Sequence, residues 1–370
     1  MKNLILTALL VGLLLLVGCT TSVNVKYLQP SEIDMGQSRT IAIASTIPYT
    51  GRTGGASSVV FSNFTDSSWY FNSSYSDSYL KNKVAEYATN MLYNALDKTD
   101  YFNIYGTKTT DSILSGANAG YDVNAKFKEK GIKAVIIPKI TGMGVNEYIY
   151  RKPYEKKVVD PVTKKETIVK DFYYYLHQEV NINFEYSIIS VDYQQVITTK
   201  RFSKTITDEY KINQYVTSSD YELYNLFVSG LSSFKSDIVK QLVPVGKTTS
   251  LTLMENKPKD KSIEEAYKEA ERGNLAIAKQ MFLSHYQMTG FVPSGYNSAL
   301  ISAAIQDFDT AIAELTDLAR VTSNPKIIDS LNRIKAYKAS NEKAKSQISG
   351  TSEGFVVDGS SNIYSQVIGY

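Results

Sequence analysis

Leu80, Val84, Tyr87, Met91 and Ala95 recur at steps of three and four residues, with Leu92 and Leu96 widening the stripe. This spacing predicts an amphipathic helix over residues 77–99, with Asp77 or Ser78 placed to cap it. A second stripe, Leu223, Phe227, Leu231, Phe234, Ile238 and Leu242, predicts another helix over about 220–242. Before and between them the pattern shifts to short apolar or alternating runs. Residues 39–45 and 101–105 read as strands, 123–130 as a short helix, and 134–140 (AVIIPKI) as a buried strand ending at Gly142 and Gly144. Alternation continues near 145–150, 171–191 and 195–207. Strands interleaved with helices predict an α/β (α+β) domain over 39–246, with a mixed sheet and flanking helices.

Residues 46–78 fit neither period. They hold Gly51, Gly54 and Gly55, many serines, and the aromatics Phe61, Phe64, Trp69, Tyr70, Phe71 and Tyr75, with Tyr79 just beyond. Such a stretch reads as a long loop, either a functional excursion or a plain surface insertion.

The last third is helical and Ala-rich. After a linker at 247–261, residues 263–286 and 295–321 read as helical pairs. Ala266, Gly273, Ala278 and Phe282 match Ala299, Gln306, Ala311 and Leu315 at a step of 33. Small residues at fixed spacing let helices approach closely, and Asn324-Pro325 ends the second unit. The pattern is similar to the tetratricopeptide family over 262–340, with plain helical hairpins as the alternative. Two units are fewer than the three such arrays usually need, so a capping helix at 324–338 or the α/β domain is expected to complete the core. Residues 341–370 turn to Lys, Ser and Gly and read as a flexible tail.

The amino terminus has its own pattern. Lys2 precedes an uncharged, mostly apolar stretch over 4–17, Gly18 supplies a small residue, and Thr20, Thr21 and Ser22 end the run too early for a spanning helix. Residues 1–18 therefore read as a signal peptide. Cys19, the single cysteine, follows Leu16-Val17-Gly18 directly. This resembles the lipobox of bacterial lipoproteins, and the resemblance implies that Cys19 is acylated and that 19–38 form a lipidated tether. It also implies a place in the cell envelope, with Thr20 after the cysteine favouring outer-membrane sorting and a domain facing the periplasm. Acyl chains on one residue anchor firmly, because each buried methylene contributes about 0.8 kcal/mol.

The order of elements over about 25–245, including GIKAVIIPKI, resembles the periplasmic α/β domain of the curli-secretion-channel lipoprotein and of lipoprotein activators of peptidoglycan synthases. The channel version of that family adds membrane-spanning hairpins. Seven of the twenty residues over 151–170 are Lys or Arg, and a charge at the bilayer midplane costs about 2 to 4 kcal/mol. That hairpin is expected to be a soluble one turning at Asp160-Pro161.

Composition narrows the function without fixing it. The chain has 370 residues, 43% hydrophobic and 21% charged, with a net charge of +3. It is expected to fold into about two domains, and the slight charge gives no reason to expect nucleic acid as a partner. GTSEG at 350–354 matches G-x-S-x-G but lies in the expected tail, and Gly246-Lys247-Thr248 lacks the earlier glycine of a phosphate loop, position 241 being Gln241. Residues 51–55 suit a flexible turn better than an anion cradle. His177 and His285 are the two histidines, too few for a structural zinc site without a usable thiol. Carboxylate pairs such as Glu264 and Glu265, or Asp307 and Asp309, suit solvated faces. No catalytic, cofactor or metal residue is assigned, and the chain reads as a non-enzyme. What remains is interaction. Twenty-eight tyrosines include Tyr148, Tyr150, Tyr154, Tyr173, Tyr174 and Tyr175 around the basic hairpin, suited to protein or glycan contact, or simply covering half-buried strand faces. The expected function is a membrane-anchored envelope lipoprotein that binds other envelope proteins as a scaffold or accessory. The alternative is an oligomeric secretion-channel component of the curli-channel type.

Overall fold

The computed structural model describes residues 21–53, 58–60, 70–72, 77–116, 121–212, 216–217, 223–352 and 354. Residues 1–20, and with them Cys19 and the signal peptide, lie outside the described residues, as does most of the aromatic stretch at 61–76. The chain divides into two compact units. One joins the stretch up to Ser31 with Pro244–Ser352, and the other is built on Glu32–Val243. The first element among the described residues is β1 (Ser22–Gln29), in the first unit, after which the chain passes into the second.

In the second unit, β2 (Thr40–Ile43), β5 (Asn103–Tyr105), β6 (Ala134–Val159), β7 (Glu166–Ser190) and β8 (Gln195–Ile212) form one mixed sheet in the order β5-β2-β6-β7-β8. β2 runs parallel to β5 and β6, while β6-β7 and β7-β8 are antiparallel. A small sheet joins β3 (Ser58–Val60), β4 (Tyr70–Asn72) and β9 (Val216–Thr217). Side chains alternate across the main sheet as its period of two requires. Ile41, Ile43, Ala134, Ile136 and Ile188 pack in the larger core with α1 (Asp77–Asp97) and α4 (Leu223–Leu242). Ala42, Ala44, Val135, Ile137 and Ile189 turn the other way, into a core shared with α2 (Thr107–Ser115) and α3 (Val123–Glu129). Gly230 of α4 lies so close to the sheet that a Cβ there would come within 2.8 Å of Ile182.

The stripes predicted for α1 and α4 are the buried stripes, including Leu80, Val84, Met91, Leu92, Phe227, Leu231 and Ile238. The strands expected separately at 134–140 and 145–150 are one strand, β6, whose register shifts between Ile140 and Gly142. The glycines expected to end a strand mark an irregularity inside it.

The first unit is helical, with α5 (Glu264–Glu271), α6 (Leu275–Thr289), α7 (Val292–Ala304), α8 (Phe308–Thr322) and α9 (Pro325–Ser349). β10 (Val245–Thr252) precedes them and pairs antiparallel with β1 along its whole length, from Ser22↔Thr252 to Gln29↔Val245. Val23 and Val25 of β1 and Leu251 of β10 are buried in one core with Phe282, Tyr296, Leu315 and Ile334. Tyr27 stacks on Tyr337 at 4.5 Å, and the Asn341 side-chain Oδ1 accepts from the Leu28 N–H at 3.1 Å. Gln347, fully buried, closes the end of the strand: its Oε1 accepts from the Ser31 N–H at 2.8 Å and its Nε2 donates to the Ser31 carbonyl at 3.3 Å.

These contacts correct three sequence boundaries. Residues 19–38 contain a core strand rather than a tether alone, because alternate valines of β1 fill the helical core. Residues 247–261 begin inside the strand that pairs with β1, and the linker shrinks to the turn around Asn256 and Asp260, where the Asn256 side chain donates to the Asp260 carbonyl at 2.7 Å and accepts from the Asp260 N–H at 3.0 Å. Residues 341–349, expected in a flexible tail, are the last turns of α9, held by Asn341, Ala344 and Gln347.

Candidate functional site

β6 and β7 outrun their neighbours. β2 pairs with β6 only from Ala134 to Ile136, and β8 follows β7 only as far as Tyr174↔Ile212. Beyond that, the register from Lys152↔Tyr173 to Val159↔Glu166 forms a ribbon of two strands, with no further strand paired to either edge among the described residues. Asp160 makes its turn, as expected from the Asp-Pro pair. The carboxylate accepts from the N–H groups of Thr163 and Val162 at 2.7 and 2.8 Å, and these bonds hold it below the usual carboxylate range.

Antiparallel register places Tyr148 opposite His177, Tyr150 opposite Tyr175, Lys152 opposite Tyr173 and Tyr154 opposite Asp171, all on one face. Their rings stack in pairs. Tyr148 and His177 lie 4.6 Å apart at 27°, Tyr150 and Tyr175 5.6 Å at 21°, and Tyr154 and Tyr173, a diagonal pair, 3.8 Å at 6°. The Lys152 ammonium lies 4.6 Å from the Tyr175 ring centre and 5.2 Å from that of Tyr150, and pairs with Glu209 at 2.8 Å. Lys211 sits 3.3 Å over Tyr173. The Tyr154 hydroxyl donates to Asp171 at 2.9 Å. Glu209, then Tyr150, holds the Lys152 pKa up, and Lys152 in turn holds Glu209 down. Asp171 raises the Tyr154 hydroxyl.

A ribbon of two strands is marginal by itself in water. Each cross-strand contact adds roughly 0.2 to 1 kcal/mol, so the Tyr154–Tyr173 pair supports the base of the ribbon, while Tyr148, Tyr150, Tyr175 and His177 lie where β8 still pairs with β7. The stacking also decides what the surface can bind. Each stacked ring uses one face on its partner, and Lys152 and Lys211 sit over the rings of Tyr175 and Tyr173. Sugar rings bind aromatic faces, whereas a protein partner can use hydroxyls, edges and charges together. Five of the six tyrosines named from sequence share this face. Tyr174, in between, points to the opposite side, where it joins Leu176, Ile212, Ile149 and Tyr210 in a small separate core. A period of two cannot put three consecutive tyrosines on one face. Val162 (87% exposed), Ile168 (60%) and Val159 (51%) leave the ribbon's end strongly apolar as well as basic.

The other candidate residues are dispersed. His177 belongs to the ladder. His285 lies in a network that sequence reasoning missed, its Nδ1 2.9 Å from the Ser294 hydroxyl and its Nε2 2.9 Å from Asp260. Three such residues in series have the composition of a hydrolytic triad. Here Ser294 is fully buried at the first turn of α7, and Asp260 is held by Ser262, which donates from both its N–H and its hydroxyl. A nucleophile without access to solvent serves packing: the network ties the turn before α5 to α6 and α7. No local signal marks it, since its members lie 25 and 9 residues apart.

Gly246-Lys247-Thr248 is strand β10, not a phosphate loop. Gly350 is the left-handed cap of α9, so GTSEG starts at a helix end rather than between a strand and a helix. Glu264 and Glu265 lie on the surface of α5, and Asp307 caps α8 by accepting from the Thr310 N–H at 3.2 Å. Gly54 and Gly55 lie outside the described residues. Among the described residues no cluster of His, Cys, Asp and Glu is placed to hold a metal ion, and no helix is long and apolar enough to cross a membrane.

No known protein-family profile matches the chain, and no curated protein matches it. One solved structure with some similarity is the PelC dodecamer from Paraburkholderia phytofirmans, at 12% identity and a TM-score of 0.21, covering 57% of this chain and 96% of that one.

Proposed function

We propose that the protein is a lipid-anchored bacterial envelope lipoprotein, facing the periplasm from the outer membrane, that acts as a non-enzymatic scaffold or accessory. The anchor reading rests on Leu16-Val17-Gly18-Cys19, with Cys19 as the acylated residue, and the helical unit is read as tetratricopeptide-like. The binding reading is carried by one observation, the ladder of stacked tyrosines and lysines on one face of β6 and β7. Both ribbon faces carry charge, Lys152 and Lys156 on one and Arg151, Glu155 and Lys157 on the other, so neither suits a lipid-facing hairpin of the channel type.

The test is affinity capture from crosslinked cells, comparing wild type, Tyr150→Ala with Tyr175→Ala, and Cys19→Ala. Specific envelope partners retained by wild type and depleted in the double variant are expected. Equal capture by the double variant removes the ladder from the binding surface, and an unmodified N-terminal peptide by mass spectrometry removes the anchor.

A further inference from the structure

The distance between the lipid and the folded chain is set by covalent geometry. β1 starts at Ser22, and Thr21 is already held: its carbonyl accepts from the Leu253 N–H at 3.0 Å and its hydroxyl donates to Glu271 at 2.8 Å. Three peptide steps separate Cys19 from Ser22, a reach of about 11 Å at most. The chain therefore enters the helical unit beside the C-terminal turn of α5. From Ser22 the strand climbs roughly 23 Å to Gln29 at about 3.3 Å per residue, and two residues on Ser31 is received by Gln347 of α9. The exposed side of α5 carries Glu264, Glu265, Lys268, Glu271 and Arg272, with Glu265 paired to both Lys268 and Arg272. Paired charges of both signs with no exposed large apolar side chain suit the headgroup layer and resist the hydrocarbon.

Resting on the reading of Cys19 as acylated, we infer that the helical unit is the membrane-apposed body of the protein. The α5 end lies against the polar headgroups, and the far end of α9 is held off. The lipid is attached to the helical repeat region through two residues, Thr20 and Thr21, instead of to the α/β unit through a long tether.

The test uses full-length acylated protein with Lys268→Cys or Ile348→Cys, both exposed positions. Each introduced thiol is the single reactive one, because the Cys19 sulfur is acylated. A bimane on each is read on vesicles of phosphatidylethanolamine and phosphatidylglycerol containing lipid with a headgroup nitroxide. Severalfold stronger quenching at 268 than at 348 is expected, and inserting about ten Gly and Ser residues between Thr20 and Thr21 is expected to lower the signal at 268 while the protein still floats with the vesicles. Equal or reversed quenching on floating protein, or a signal indifferent to the insertion, overturns the apposition alone. Protein that fails to float and has an unacylated N-terminal peptide overturns the anchor reading and this inference together.

Discussion

Glu147 is 3% exposed, and the side-chain N–H of the fully buried Gln178 donates to it at 2.6 Å. Burial raises the carboxyl's pKa, and the Gln178 bond opposes that rise without cancelling it. A folded-state pKa above the unfolded one means that the fold holds the proton more tightly. The stability from this group is complete below the unfolded pKa and is lost as pH rises through the folded value. Glu147→Gln keeps an acceptor for Gln178 and removes the buried charge. The variant is expected to be more stable than wild type at pH 8, with the gap closing towards pH 4.5, measured by urea unfolding at both ends. A gap that is constant with pH would show that Glu147 does not titrate differently on folding. The ladder carboxylates behave oppositely, since Lys152 lowers Glu209 in the open, where screening leaves little stability to lose.

The helical elements repeat more closely than their sequences do. α6 and α8 start at Leu275 and Phe308 and end at Thr289 and Thr322, each pair 33 residues apart, the step read from Ala266 and Ala299. Their left-handed caps, Gly290 and Ser323, and the left-handed residues before them, Gly273 and Gln306, keep the same step. Gly273 has φ of +84° and open space around its Cβ position, so Gly273→Ala tests the backbone alone. It is expected to lower stability by about 1 kcal/mol, seen as a shift in the urea midpoint of helical circular dichroism. No shift would mean that the turn relaxes. Wherever apolar side chains recur at helical spacing along a buried stripe, as in α1, α4 and the repeat helices, the element was legible in the sequence. The end of α9 was not, because its buried positions are Asn341, Ala344 and Gln347, residues that suit a tail equally well until their partners in β1 are known. β1 and β10 escaped for a related reason. Each is short and half polar, and nothing local indicates pairing across the whole α/β unit. Of the candidate surface, period two and the tyrosine count were readable, but the stacking of the rings depends on register.

At the scale of the whole molecule, the helical unit is discontinuous in sequence, and the α/β unit is an insertion between two of its strands. Residues 244–352 alone therefore lack Val23 and Val25 from their core. This fragment is expected to aggregate or show weak, noncooperative helical signal, and a peptide of residues 21–31 added in trans is expected to restore a cooperative thermal transition. A cooperative melt without the peptide would show that the helices complete their own core. The same arrangement imposes a waiting time on the chain as it is made. β1 is synthesised before its partner, with roughly 215 residues between them, and at about 5 to 20 residues per second that is an interval of roughly 10 to 40 seconds. An unpaired strand with two valines is an invitation to wrong partners during that time. Its alternate residues, Ser22, Asn24 and Lys26, are polar and lie on the exposed face, and they keep the strand soluble until the last third of the protein arrives to claim it.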